Sequence, residues 1–176
     1  MKQDASISLR VLRCVNSAAF GIRRDVSSIR EALVLLGLGP IRKWASVWCL
    51  AALSAGRTPE LATLALVRAR SCERLGEGVP HVAEEELFLV GLCSLLDAML
   101  DRPMAEALRH MALSPAVEHA LLGEPTASRY LLDAVIAYER GEWDDAVRAA
   151  RSASASDAVL PTAYSAALAM AGDLAV

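Results

Sequence analysis

Three histidines, His81, His110 and His119, are the side chains best suited to hold a metal or move a proton near neutral pH. A divalent-metal hydrolase needs several imidazole and carboxylate donors converging on its ions, both to hold them and to activate water. The spacing does not supply that set. His81 falls in a loop, His110 and His119 fall on neighbouring short helices, and the chain has no His-Asp dipeptide and no H-x-x-x-H pair. The acidic triplet Glu84-Glu85-Glu86 stands where a helix begins. The helix macrodipole favours negative charge there, which accounts for the triplet better than an acid–base or metal role. Nucleophilic chemistry is no better served, because there is no G-x-S-x-G elbow. Gly76-x-Gly78 runs into Val79-Pro80 with no strand before it, so it is not a phosphate loop. Cys14, Cys49, Cys72 and Cys93 lie far apart, each inside a helical pattern, and read as free buried thiols. The reading is of a chain with no catalytic residue, no cofactor and no metal.

The elements that would position these residues are helical throughout. Hydrophobic residues make up 55% of the 176 and aromatics 5%, so the core must be built mainly from Ala, Leu and Val. Ala and Leu carry high helix propensity. Residues 6–14 read as the end of a first helix. Ser28-Ile29-Arg30-Glu31 is a capping box that opens a second, over 28–36. Gly37-Leu38-Gly39-Pro40 stops it, and Pro40 suits the first turn of a third, whose apolar face carries Trp44 and Trp48 while Arg42 and Lys43 face out. Further helices are expected over 59–75, from Glu84 to the Asp101-Arg102-Pro103 stop, and over 103–111, 115–122, 126–140, 142–151 and 161–174. The low-complexity stretch 152–156 reads as a flexible link. Residues 138–146 resemble the turn of a tetratricopeptide repeat, but one copy cannot stack. A plain αα-hairpin with Trp143 packed into it is the better reading. No period-two alternation appears, so the expected fold is an all-α, compact multi-helix bundle with short connections.

Three segments match a known pattern in order. Asp4-Ala5-Ser6-Ile7-Ser8-Leu9, followed by Asn16-Ser17-Ala18-Ala19-Phe20-Gly21 and by Ser28-Ile29-Arg30-Glu31-Ala32-Leu33-Val34-Leu35-Leu36-Gly37, resembles the HDOD domain, the HD-related output domain of bacterial signalling proteins. Asn16 and Ser17 can satisfy backbone groups at a helix end, and Gly21 supplies a permissive turn. Phe20 would plug the gap between helices, so Asn16, Ser17, Phe20 and Gly21 read as a packed corner. Phe88-Leu89-Val90-Gly91-Leu92-Cys93-Ser94-Leu95-Leu96-Asp97-Ala98 is similar to the segment that carries the metal-binding His-Asp pair in catalytic HD phosphohydrolases. Ser94 and Leu95 stand at that pair's position, and Leu95 with Leu96 suggests a region filled with hydrocarbon. This variant looks most like HDOD modules fused behind an EAL domain, the cyclic-di-GMP phosphodiesterase module. Glu31-Ala32-Leu33 spell the same letters by coincidence: Glu31 closes a capping box, and a barrel enzyme of that type needs about 250 residues with alternating strands.

What the resemblance implies is a non-catalytic regulatory module of bacterial signal transduction, linked to cyclic-di-GMP pathways and acting by protein–protein docking or self-association. Its HD-domain-like core would occupy residues 1–100, with the N-terminal part of the family domain missing, and a continuous C-terminal helical subdomain would occupy 101–176. An EAL domain upstream in the natural protein is one expected partner. Arg23, Arg24, Arg42 and Lys43 are the candidate partner-contact residues. The rival is a degenerate phosphohydrolase-like pocket that binds a nucleotide without hydrolysing it. The net charge of −3 gives no general attraction to nucleic acid, and the helix after Pro40 carries a core face rather than a groove-reading one. Residues 44–55 and 87–100, the longest apolar stretches, fall short of the about 18 needed to span a membrane. A cytoplasmic location, with neither nucleic-acid nor membrane partners, is the expectation.

Overall fold

The computed structural model describes residues 59–109, 111 and 113–174. The helices expected before Pro59, the corner at Asn16, Ser17, Phe20 and Gly21, and the contact candidates Arg23, Arg24, Arg42 and Lys43 lie outside the described residues, as do Cys14, Cys49 and His110. The chain divides near residue 52, and everything described belongs to the second unit, Leu53–Val176.

Helix α1, Pro59–Leu75, has Glu60 in its first turn and Arg74 in its last, both signs matching the macrodipole. It is followed by α2, Glu84–Cys93; α3, Leu96–Leu100; α4, Met104–Leu108; α5, Pro115–Leu121; α6, Ala127–Glu139; and α7, Trp143–Ser152. A 3-10 turn, Asp157–Val159, then leads into α8, Leu160–Leu174. The fold is all-α, with no strand among the described residues. Nor is any described helix long and apolar enough to cross a membrane.

Helix α1 is the axis of this bundle, with α2, α6 and α8 packed around it. Its Ala65, Leu66, Val67, Ala69, Cys72 and Leu75 are buried, and so are Arg68, Ser71 and Glu73. Leu87 and Leu92 of α2, Leu96 and Met99 of α3, and Leu131 and Val135 of α6 are fully buried as well. Each such side chain contributes about 1.5–3 kcal/mol by leaving water. Ala163, Ala167 and Ala171 recur every four residues on α8 and are buried, which lets that helix approach α1 closely.

The crossing of α1 with α2 is closer still. A methyl group at Gly91 would lie 2.5 Å from the backbone N and Cα of Ala69. The glycine is therefore required by the approach of one backbone to another.

Caps close the helix ends. The Ser114 hydroxyl accepts from the Val117 N–H at 3.4 Å and donates to Glu86 Oε1 at 2.7 Å, so one acid of the triplet also ties α5 to α2. After α6, Gly141 takes φ 74°. Its N–H reaches the Tyr138 carbonyl while that of Glu142 reaches Ala137, the paired bonds of a Schellman turn.

Two expectations are corrected. The helix expected to run unbroken from Glu84 to the Asp101 stop breaks between Cys93 and Leu96, because the Ser94 hydroxyl donates to the Gly91 carbonyl at 2.7 Å and competes with the helical ladder. The stretch 152–156 is a closed turn rather than a flexible link. Ser154 takes φ 60°, Ala155 N–H bonds the Ala150 carbonyl at 2.9 Å, and Ala153 and Ala155 are buried.

Gly91→Ala should destabilise the protein by about 3 kcal/mol in urea unfolding, since α1 and α2 must move apart to admit one methyl. A loss below about 0.5 kcal/mol would mean that the crossing has slack.

Candidate functional site

The most demanding residue in the bundle is Arg68. It sits at mid-length in the central helix, between buried Val67 and Ala69, and is itself 8% exposed. A guanidinium cannot shed its charge in a protein, so its donors must be met where they are. Glu139, the last residue of α6, meets most of them. Arg68 Nε donates to Glu139 Oε1 at 3.1 Å and Oε2 at 3.0 Å, and Nη2 donates to Oε2 at 2.8 Å. Nη1 donates to Ser94 Oγ at 3.3 Å. Ser94 can accept from arginine because its own proton is spent on the Gly91 carbonyl. One cation thereby joins α1, the end of α6 and the break after α2.

Two further groups feel this pair. Cys72, one turn beyond Arg68, is fully buried, and its thiol is pushed far above the usual range, by burial first and by the Glu139 carboxylate second, with Arg68 opposing. The Tyr164 phenol of α8 is raised in the same order, by burial and then by Glu139. Cys93 is pushed up to about 12 by burial alone. Such thiols are protonated and inert rather than nucleophilic.

Of the residues expected at the His-Asp position, Ser94 points its hydroxyl into the Arg68–Glu139 network, while Leu95 is half-buried and Leu96 is fully buried. The region is thus not filled with hydrocarbon alone: hydrocarbon lies on the Leu96 side and a matched ion pair on the Ser94 side. His81 is exposed in its loop with φ 63°, and His119 lies at the surface 3.5 Å from Glu124. No three His, Cys, Asp or Glu side chains converge to hold a metal among the described residues. Trp143 is not packed into the α6–α7 hairpin as expected. It is 59% exposed, with its ring edge-on to Tyr138 at 5.0 Å.

Sequence reasoning passed over Arg68 and Glu139, which are 71 residues apart. The signal was present in Ala65-Leu66-Val67-Arg68-Ala69, where a single cation interrupts an apolar run that must be buried. Nothing local to that run identifies the partner.

Comparison with known proteins gives a consistent picture. The family model described as the HDOD domain matches residues 1–120. The chain is 29% identical over 147 residues to the uncharacterized protein YuxH of Bacillus subtilis, a match covering 82% of this chain and 36% of that protein. It is 32% identical over 142 residues to cyclic di-GMP phosphodiesterase CdgJ of Vibrio cholerae, covering 80% of this chain and 33% of that one. The chain thus spans about a third of the length of these relatives. No solved structure matches it significantly.

Glu139→Gln should cost about 3–5 kcal/mol in urea unfolding, because it strands a buried guanidinium. The double replacement Arg68→Met with Glu139→Leu should return to within about 2 kcal/mol of the parent. A loss under about 1 kcal/mol for the single variant would show that the pair is solvated.

The thiols give a pH prediction. Their folded pKa values lie above the unfolded value of about 8.5, so their contribution to stability is complete below that pH and is lost as pH rises toward the folded values. Unfolding free energy should therefore fall above about pH 9. Mass-spectrometric mapping after native iodoacetamide treatment should find Cys72 and Cys93 unlabelled; labelling as fast as in the urea-unfolded chain would contradict their burial.

Proposed function

The chain belongs to the HDOD domain family, and from that membership we propose that it is a non-catalytic regulatory module of bacterial signal transduction that works by docking onto other protein surfaces. The observation that carries this reading is the Arg68–Glu139–Ser94 network. At the position where the family resemblance aligns a catalytic His-Asp pair, this chain has a serine hydroxyl held by a cation that its own carboxylate already neutralises. A phosphate would be attracted to a free arginine, but here it must first displace a bidentate carboxylate from a buried site. That cost weighs against the rival reading of a retained nucleotide pocket. The functional work then falls to docking, for which the sequence offers Arg23, Arg24, Arg42 and Lys43 as contact candidates and Asn16, Ser17, Phe20 and Gly21 as a candidate packed corner.

The relative in Vibrio cholerae is named a cyclic di-GMP phosphodiesterase, and about two thirds of that protein lies outside the match. This supports a link to cyclic-di-GMP signalling in which another domain, of the EAL type, performs the chemistry and the HDOD module regulates it in the cytoplasm. Within that reading, residues 1–100 form the family core and 101–176 a helical extension continuous with it.

A thermal-shift series with mono-, di- and cyclic nucleotides, each with and without Mn²⁺ or Mg²⁺, tests the choice between docking and nucleotide binding. The expected result is no saturable shift above about 1 °C. Saturable stabilisation by several degrees would establish the nucleotide pocket instead.

A further inference from the structure

The family match ends at residue 120, inside α5. The compact unit does not end there. It runs from Leu53 to Val176, so the helices from α6 onward lie beyond the matched residues but within the same body.

Those helices are built into its interior. Leu131, Leu132 and Val135 of α6 are buried, as are Leu160, Ala163 and Ala167 of α8. A methyl on Gly76, just past the end of α1, would collide with Leu87 of α2 and lie 3.3 Å from Leu131 of α6. A matched helix and an unmatched one therefore close over the same point. Arg129 reaches back across the boundary, donating from Nη1 to the Ala120 carbonyl at 3.3 Å. The strongest tie is Glu139, whose carboxylate accepts from Nε and Nη2 of Arg68, with both side chains 10% exposed.

Without this cover the matched part of the unit keeps little. Helix α1 has 17 residues and α2 has 10, but α3, α4 and α5 have 5, 5 and 7. Helices that short do not persist without tertiary packing. Lifting α6 and α8 away would return apolar surface to water and split a buried ion pair in the same event.

We infer that residues 122–174 complete the domain rather than append to it, and that the Arg68–Glu139 pair is a latch through which the matched and unmatched helices open and close together. The device is conformational. A disturbance at the end of α6 is passed through one guanidinium to Ser94, at the break after α2. The inference sharpens the continuity proposed for the C-terminal extension. It is independent of docking, since a partner can bind a fused segment or a separable one.

Native-state hydrogen exchange of the 176-residue chain, in rising concentrations of urea below the unfolding transition, tests this. The slowest amides of α1, α2, α6 and α8 should report one opening free energy and one dependence on urea. Glu139→Gln should speed exchange in all four helices by a common factor of at least about tenfold. Glu139→Asp, which keeps the charge but shortens its reach, takes its place if the first variant does not fold. Amides of α6 and α8 that exchange through a lower-energy opening while α1 and α2 stay protected would overturn the inference. So would an acceleration by the variant that is absent or confined to α6 and α8. Either result would leave the docking reading standing, and saturable nucleotide binding would overturn that reading without touching this one.

Discussion

A guanidinium buried in the central helix of a bundle needs a counter-charge, and the rest of this structure is arranged around that need. Arg68 is reached by Glu139 only because α6 ends beside the middle of α1, and by Ser94 only because α2 breaks there. The Schellman turn at Gly141 ends α6 immediately after its carboxylate has been delivered. Gly91 lets α2 come within backbone contact of α1 beside Arg68. Removing the Glu139 carboxylate would leave a charge buried without a partner, an error worth several kcal/mol.

The same arrangement decides what chemistry is open to this cluster. In a metal hydrolase of related architecture, donors converge on an ion and leave a coordination position for water. Here the convergence is of one cation and one anion on each other, with a hydroxyl whose lone pair and proton are both committed. Beside them stands a protonated, fully buried thiol and a phenol whose ionisation burial and a neighbouring carboxylate oppose. Such a cluster holds helices in register. On the outside of the described bundle, Trp143 and Leu168 are exposed.

Much of the fold was legible in the sequence because its punctuation is local. Pro59, Ser114-Pro115, Thr126 and Gly141 mark helix ends through their own backbone chemistry, and the structure places ends there within a residue or two. The misread places share a different cause. The break at Ser94 depends on a hydroxyl choosing a carbonyl, which composition does not reveal. The stretch 152–156 looks like a linker, yet its alanines are small enough to be buried in a turn that Ser154 closes at positive φ. The site itself was half visible. Ser94 was singled out by its alignment with a catalytic position, but a pairing that spans 71 residues is a property of the folded chain. Trp143 was expected to pack into the α6–α7 hairpin; at the first position of α7 it is instead mostly exposed.

The central claim, that the arginine of the axial helix is already occupied, is read most directly from the side-chain Nε–H signals of the 176-residue chain, with Arg68 identified by Arg68→Lys. If Glu139 and Ser94 hold it, the Arg68 Nε–H exchanges with water far more slowly than those of exposed arginines and stays in place when phosphate or a cyclic dinucleotide is added. A signal that exchanges as freely as the rest, or that moves saturably with those anions, would contradict the account.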